Sequence, residues 1–376
     1  MGAMKKTNLA QGLLVAVILA LLFPLSGIAG PAPGGGGFII KSGERRQNEP
    51  WKSQAFDGLF IGMTAADLKN DGSRELFLLS KRKLIVARKG PGKLEIIKEI
   101  KAIDGTDNVS ITSLGHAVYI SAIFDNKPYG SIIEFKDNDY RVTVTGIKWL
   151  MRTVGAPGSA PALVGERFRR PDGFYGGLRL LAREGSSVVD RGPFMELPRN
   201  VDIYRFDILE SNARQEIVTL TGRDYLRRYV KSGDGDWQKT WSSDDNYGGT
   251  LNYIYFLTGH PDVEEEPVAI EGKFSQAVKD SDGKTELIVK KNIPSGLGRF
   301  LKMPSFDRGE VAGLVWDGEN LAEKWKTKDI SGYISDFTVE DEAGERTITL
   351  LVVEGLKSLT GGTPKSYVLS YRFSIQ

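Results

Sequence analysis

Three tryptophans constrain this chain more than any other feature. Trp51-Lys-Ser53, Trp241-Ser-Ser243 and Trp325-Lys-Thr327 share the pattern Trp-x-[Ser/Thr]. Seven residues after each tryptophan stands a glycine: Gly58, Gly248 and Gly332. Each glycine leads into an apolar run, namely Leu59-Phe-Ile61, Thr250-Leu-Asn-Tyr-Ile254 and Tyr333-Ile-Ser335. Self-similarity at ~45–50 residues is the mark of four-stranded propeller blades. On that reading the tryptophan ends the outer strand of one blade. The glycine marks the crossing to the inner strand of the next, where backbones crowd a central channel.

The chain between these markers has the same texture throughout. Leu76–Leu79, Lys83–Arg88 and Leu94–Lys98 read as three strands in succession. Val118–Ile123, Ser131–Phe135 and Tyr140–Thr145 repeat the pattern, as do Glu216–Leu220, Tyr225–Tyr229 and Trp237–Trp241. No helical period of useful length follows residue 30, so the fold class is all-β. The 44 glycines fit a chain of many turns.

Acidic turns form the other half of the repeat. Asp67-Leu-Lys-Asn-Asp71-Gly72-Ser-Arg-Glu75 precedes one apolar strand, and Asp280-Ser-Asp282-Gly283-Lys-Thr-Glu286 precedes another. Weaker copies lie at Glu210–Glu216 and Glu340–Gly344. These turns, with the strands after them, resemble the FG-GAP/VCBS repeats of bacterial exported proteins and of the integrin α-subunit head. The resemblance spans residues 50–376, with good matches at the two first-named turns only. It implies a β-propeller and is weak for function. The family's consensus Asp-x-Asp-x-Asp-Gly-x-x-Glu can hold calcium. That makes Asp67, Asp71, Glu75, Asp280, Asp282 and Glu286 candidate ligands. Against this, Lys69 stands where a carboxylate would, and Val278 replaces the first ligand of the second turn. A hydrogen-bonded Asx turn with glycine at positive φ is the leading reading, with no cofactor.

Counting crossings near Gly58, Asn108, Thr153, Asn200, Gly248 and Gly332 gives a single propeller of six blades, with seven as the alternative. Residues 248–332 are too long for one blade and call for an inserted hairpin near 251–257 or a further blade. The last blade, 333–371, shows three strands. A strand around Trp51 would complete it, closing the ring and removing a free edge.

At the amino terminus, Lys5 and Lys6 precede an apolar stretch from Gly12 to Phe23, and small residues follow Pro24. This is the form of a secretory signal peptide. The apolar stretch is about 12 residues, whereas a membrane span takes roughly 20. The expected organisation is a signal peptide over 1–29 with cleavage after Ala29, a Gly/Pro-rich linker over 30–49, and the propeller over 50–376. No cysteine exists to anchor a lipid, so the periplasm or the extracellular space is the expected location, with no stable membrane span. Cleavage would remove two of the 50 basic residues and none of the 48 acidic ones, leaving a net charge of zero. A neutral surface offers no general attraction to nucleic acid.

Composition excludes several chemistries. With no cysteine, thiolate metal sites and cysteine nucleophiles are impossible. Only His116 and His260 could serve a serine triad, and no Gly-x-Ser-x-Gly elbow is present. Neither histidine is expected to be catalytic. Trp149, Trp237 and Trp316 read as core or turn-covering residues. One basic and aromatic cluster stands out: Arg167, Arg169 and Arg170 with Phe174 and Tyr175, placed by the sequence in a long Gly-rich connection. Such residues could grip a sulfated or uronic-acid polymer.

Two functions follow as expectations. The first is a non-catalytic exported propeller that binds an envelope protein or polysaccharide, as a monomer or within a hetero-complex. The second is a propeller hydrolase or lyase acting on extracellular glycans at the channel mouth, walled by residues 153–177 and 257–272.

Overall fold

Six antiparallel sheets succeed one another along the chain in the computed structural model, which describes residues 38–40, 49–169, 173–211, 214–254, 267–295, 305–342, 344–355 and 363–374. Every regular element among them is a strand. The first blade is Phe60–Ala66, Glu75–Ser80, Lys83–Lys89 and Leu94–Lys101, paired in chain order. The second spans Asp107–Leu114 to Asp139–Ile147, the third Leu150–Val154 to Ser187–Pro193, and the fourth Phe206–Ser211 to Gln238–Asn246. The fifth runs from Ser275–Lys279 to Leu321–Thr327. The sixth holds Tyr333–Glu342, Glu345–Glu354 and Lys365–Ser374.

The ring closes as a propeller must. Phe60–Ala66 packs against the first strands of both the second and the sixth blades. Trp51–Lys52 supplies the sixth blade's outer strand, with Trp51 opposite Ser370. Burial follows this geometry: Phe60–Ala66 is buried along its whole length, whereas Leu94–Lys101 at the rim is mostly exposed. Phe38–Ile40 adds antiparallel to the outer strand of the fifth blade, with Phe38 opposite Thr327. The expected signal segment, and most of the linker, lie outside the described residues.

The repeated triplet has a structural cause. Ser53 Oγ accepts the amide of Val368 at 2.9 Å, Ser243 Oγ that of Leu226 at 2.9 Å, and Thr327 Oγ1 that of Val311 at 3.0 Å. Each hydroxyl serves an amide of the third strand where the ladder to the fourth is interrupted, at that strand's end for Ser53 and Thr327 and at a register shift within it for Ser243. The tryptophan two residues earlier donates outward: Trp51 to Gly90 O, Trp241 to Asn320 Oδ1 and Trp325 to Glu286 Oε1. The glycines then turn the chain at φ of 108° for Gly58 and 105° for Gly332. At Gly332 a Cβ would also lie 2.6 Å from Val353 O. Only glycine meets both demands.

The same device joins neighbouring blades. Asp336, buried in the sixth blade, accepts the amides of Lys273 at 3.1 Å in the approach to the fifth blade and Met63 at 2.8 Å in the first, besides that of Phe337. Asp207 of the fourth blade accepts Ala277 N of the fifth. Thr112 Oγ1 accepts Thr153 N between the second and third.

One crossing differs from expectation. Gly248 has positive φ, 69°, but does not lead into the fifth blade, whose first strand begins at Ser275. The intervening chain forms a two-stranded hairpin of Tyr253–Ile254 and Val268–Ala269. The expected strand from Thr250 to Ile254 is therefore only two residues long. Excess length was absorbed by an insert and not by a seventh blade.

Replacing Asp336 by Ala would strand three buried amides, each worth about 1–3 kcal/mol when left unsatisfied. Chemical denaturation should show a loss of about 3–5 kcal/mol. Asp336→Asn keeps one acceptor and should lose less.

Candidate functional site

The basic and aromatic cluster does not lie in a loop. Ala162–Arg169 and Gly173–Glu184 are the second and third strands of the third blade, with Arg167 opposite Tyr175 and Phe168 opposite Phe174. The glycines that suggested a long connection sit instead in strands, with positive φ at Gly173, Gly176 and Gly177 and a register shift between Gly165 and Arg167. Arg170 lies outside the described residues.

Strand alternation then sorts the side chains. Phe168 turns inward, packing edge-on to Phe174 at 5.2 Å between ring centroids, while Arg167 and Arg169 turn outward and are exposed. Each outward arginine rests on a ring: the Arg167 guanidinium lies 4.8 Å from the Trp149 centroid and that of Arg169 lies 4.7 Å from Tyr175. Tyr175 is thus partly buried under its neighbour, and Trp149 is core, as expected.

These residues form one wall of an open cleft of about 910 Å³ between the second and third blades. The second blade supplies the other wall through the turn at Phe124–Tyr129 and the strand end at Val144–Lys148. Asp125 and Asn126 hold this turn in the left-handed region, at φ of 48° and 60°. Phe124 is 46% exposed beside Tyr129. The cleft therefore gathers Lys127, Lys148, Arg167 and Arg169 with exposed aromatic edges and, among its lining residues, the single carboxylate Asp125. Among the described residues no acid pairs with Arg167, Lys127 or Lys148.

Beneath Arg167, Glu166 points the opposite way into the core. Its Oε2 accepts Ile203 N at 2.9 Å. Burial, with nearby Asp202 adding to it, pushes its pKa up to about 8 against the pull of that amide.

The channel offers less room. Residues of all six blades or their approaches, including Gly62, Ser110, Arg152, Tyr204, Lys273 and Asp336, surround a space of about 30 Å³. That admits a water molecule or two and no sugar ring. Arg152 donates to the carbonyls of Ile203 and Phe206, and Lys290 pairs with Glu271 at 2.9 Å. The inserted hairpin reaches across one end: Asn252 Nδ2 donates to Val109 O of the second blade and Leu251 N to Tyr333 Oη of the sixth, while Lys81 Nζ of the first blade donates to Tyr253 O. Of the two segments expected to wall a channel mouth, 153–177 is largely the blade hairpin just described. Residues 255–266 of the other lie outside the described residues, His260 among them.

The acidic turns are closed by their own backbone. Asp67 accepts the amides of Asp71 and Gly72, and Asp71 accepts that of Ser73. Asp280 accepts those of Asp282 and Lys284, with Lys324 Nζ 3.3 Å away. Glu75 is buried between Lys69 at 2.9 Å and Arg88 at 3.0 Å. Glu286 meets Arg346 and Trp325. The two glutamates thus hold strands together through cations that a metal would have to displace. Among the described residues no three acidic or histidine side chains converge to hold a metal. His116 Nδ1 lies 2.8 Å from the carbonyl of Asp67 and is exposed.

No family model matches the chain, and no curated protein matches it. Solved structures do. TolB from Acinetobacter baumannii is 9% identical, with a TM-score of 0.33 over 77% of this chain, which spans only 59% of TolB. A "putative 6-phosphogluconolactonase" from Bacteroides uniformis is 9% identical, with a TM-score of 0.38 over 84% of this chain and 85% of that one.

Two measurements probe these assignments. Glu166 is held protonated by the fold, so the stability it contributes is full below its ordinary value of 4.5 and is lost as pH rises through about 8. Glu166→Gln keeps an acceptor for Ile203 N. It should flatten the fall in melting temperature across that window. Separately, adding calcium to EDTA-treated protein should leave the melting temperature unchanged. A rise would mean that an acidic turn does bind the ion.

Proposed function

We propose that this chain is an exported propeller of FG-GAP/VCBS type that acts without catalysis as a binding module, holding an envelope polysaccharide in the cleft between its second and third blades. The observation that carries the proposal is the cleft itself. It is open, about 910 Å³ in volume, and set with exposed aromatic edges and with Arg167, Lys127 and Lys148, which form no ion pair among the described residues. Such groups keep their hydrogen-bonding capacity for something else.

Hydrolysis of a glycosidic bond in the usual way needs two carboxyl groups flanking the bond, ~5–9.5 Å apart. Among the described residues the cleft lining provides Asp125 alone. The narrow channel and the hairpin across one of its ends give the alternative, an enzyme at the channel mouth, little support. Export rests on the amino-terminal sequence.

Retention of the mature chain on immobilised polysaccharides tests the reading. The wild type should be retained without shortening the polymer. Thr145→Trp should abolish retention, because Thr145 is an exposed wall residue and an indole there would fill the cleft. Loss of polymer length would favour the enzyme. Absence of retention on any glycan would overturn the module.

A further inference from the structure

Resting on that reading, we infer that the cleft prefers acidic glycans, those whose sugars carry carboxylate or sulfate groups, to neutral ones. Neutral sugars are commonly held by an open aromatic face. Here two of the lining rings, Trp149 and Tyr175, are already covered, and Phe124 on the opposite wall is the exposed one. The Arg167 guanidinium lies over Trp149 and that of Arg169 over Tyr175, at 4.8 and 4.7 Å. The rings serve the arginines by fixing the guanidinium planes. At Arg167 this leaves the N–H edge, and not the π face of Trp149, to meet a ligand.

Charge in the cleft is one-sided. Lys127 and Lys148 stand on the side of the second blade and Arg167 and Arg169 on the side of the third, against Asp125 alone. Nearby Asp190 forms its ion pair with Arg179, whose Nε holds both its oxygens at 2.9 and 3.0 Å, and acts on Arg167 only through space. Cations on both walls call for a ligand with anionic groups on both of its sides, as a chain of acidic sugars has. A planar guanidinium with its plane fixed favours a bidentate partner, which carboxylate and sulfate both are.

Binding by the mature chain can be measured calorimetrically with four probes: polygalacturonate, heparin, neutral dextran and poly-glutamate. Polygalacturonate, heparin or both should bind, with an affinity that falls as salt rises. Arg167→Ala and Lys148→Ala should each weaken binding about tenfold, the effect of losing one charged hydrogen bond. Arg167→Lys should recover only part of that loss. Both residues are exposed, so unchanged melting temperatures would show that the fold is intact. Dextran binding as tight as polygalacturonate would overturn the inference while leaving the polysaccharide module standing. Binding of poly-glutamate alone, or of no probe, would overturn both. Acidic-glycan binding unchanged in the Arg167→Ala, Lys148→Ala double variant would remove it from this cleft.

Discussion

A side-chain oxygen that takes the place of a missing ladder carbonyl is the interaction on which this ring depends. Four-stranded blades must end, and neighbouring blades do not share a ladder, so their border amides would be buried without acceptors. Ser53, Ser243 and Thr327 serve the third strand of their blades where its ladder to the fourth is interrupted. Asp207 and Asp336 do the same between blades, the latter tying the approach to the fifth blade and the first strand of the first to the sixth. Apolar burial drives the blades together, but these oxygens set their register and angle.

Charged groups in the interior follow the same logic. Glu75 and Glu286, at the starts of second strands, are locked by Lys69, Arg88 and Arg346. Pairs of this kind add little net stability but are costly to break from one side. They explain why the acidic turns keep their glutamates even though the turn carboxylates accept backbone amides. In the cleft the rule is relaxed. Arg167, Lys127 and Lys148 face solvent without an acid, and the cost of leaving them so is small only because water reaches them.

Much of the architecture was legible in the residues. Trp-x-[Ser/Thr] and the glycine seven residues on are local chemistry, a hydroxyl acceptor and a positive φ, so they recur at the ends of the fourth, fifth and sixth blades. They led to six blades and to the closing strand at Trp51. The pattern misled at Gly248, where the same turn opens an inserted hairpin. Nothing in the residues from Thr250 to Ile254 distinguishes a two-residue strand from a longer one. The Arg167 cluster was legible as chemistry but not as structure. Its glycines suggested a loop because tolerance of positive φ is shared by loops and by irregular strands. Glu166 went unremarked because a carboxyl between Gly165 and Arg167 carries no mark of burial.

The sequence by itself determined the all-β class, the blade repeat, the Asx turns and the exclusion of cysteine chemistry, since each rests on a residue's own backbone preference or functional group. Only the tertiary structure decided that Phe124, Lys127, Tyr129, Lys148, Arg167 and Tyr175 line one cleft, that two arginines cover the rings beneath them, and that the space enclosed by Gly62, Arg152, Lys273 and Asp336 is too small for a sugar. Those facts depend on how one blade is rotated against the next. That rotation is set by the summed packing of the whole ring, which no local stretch of sequence encodes.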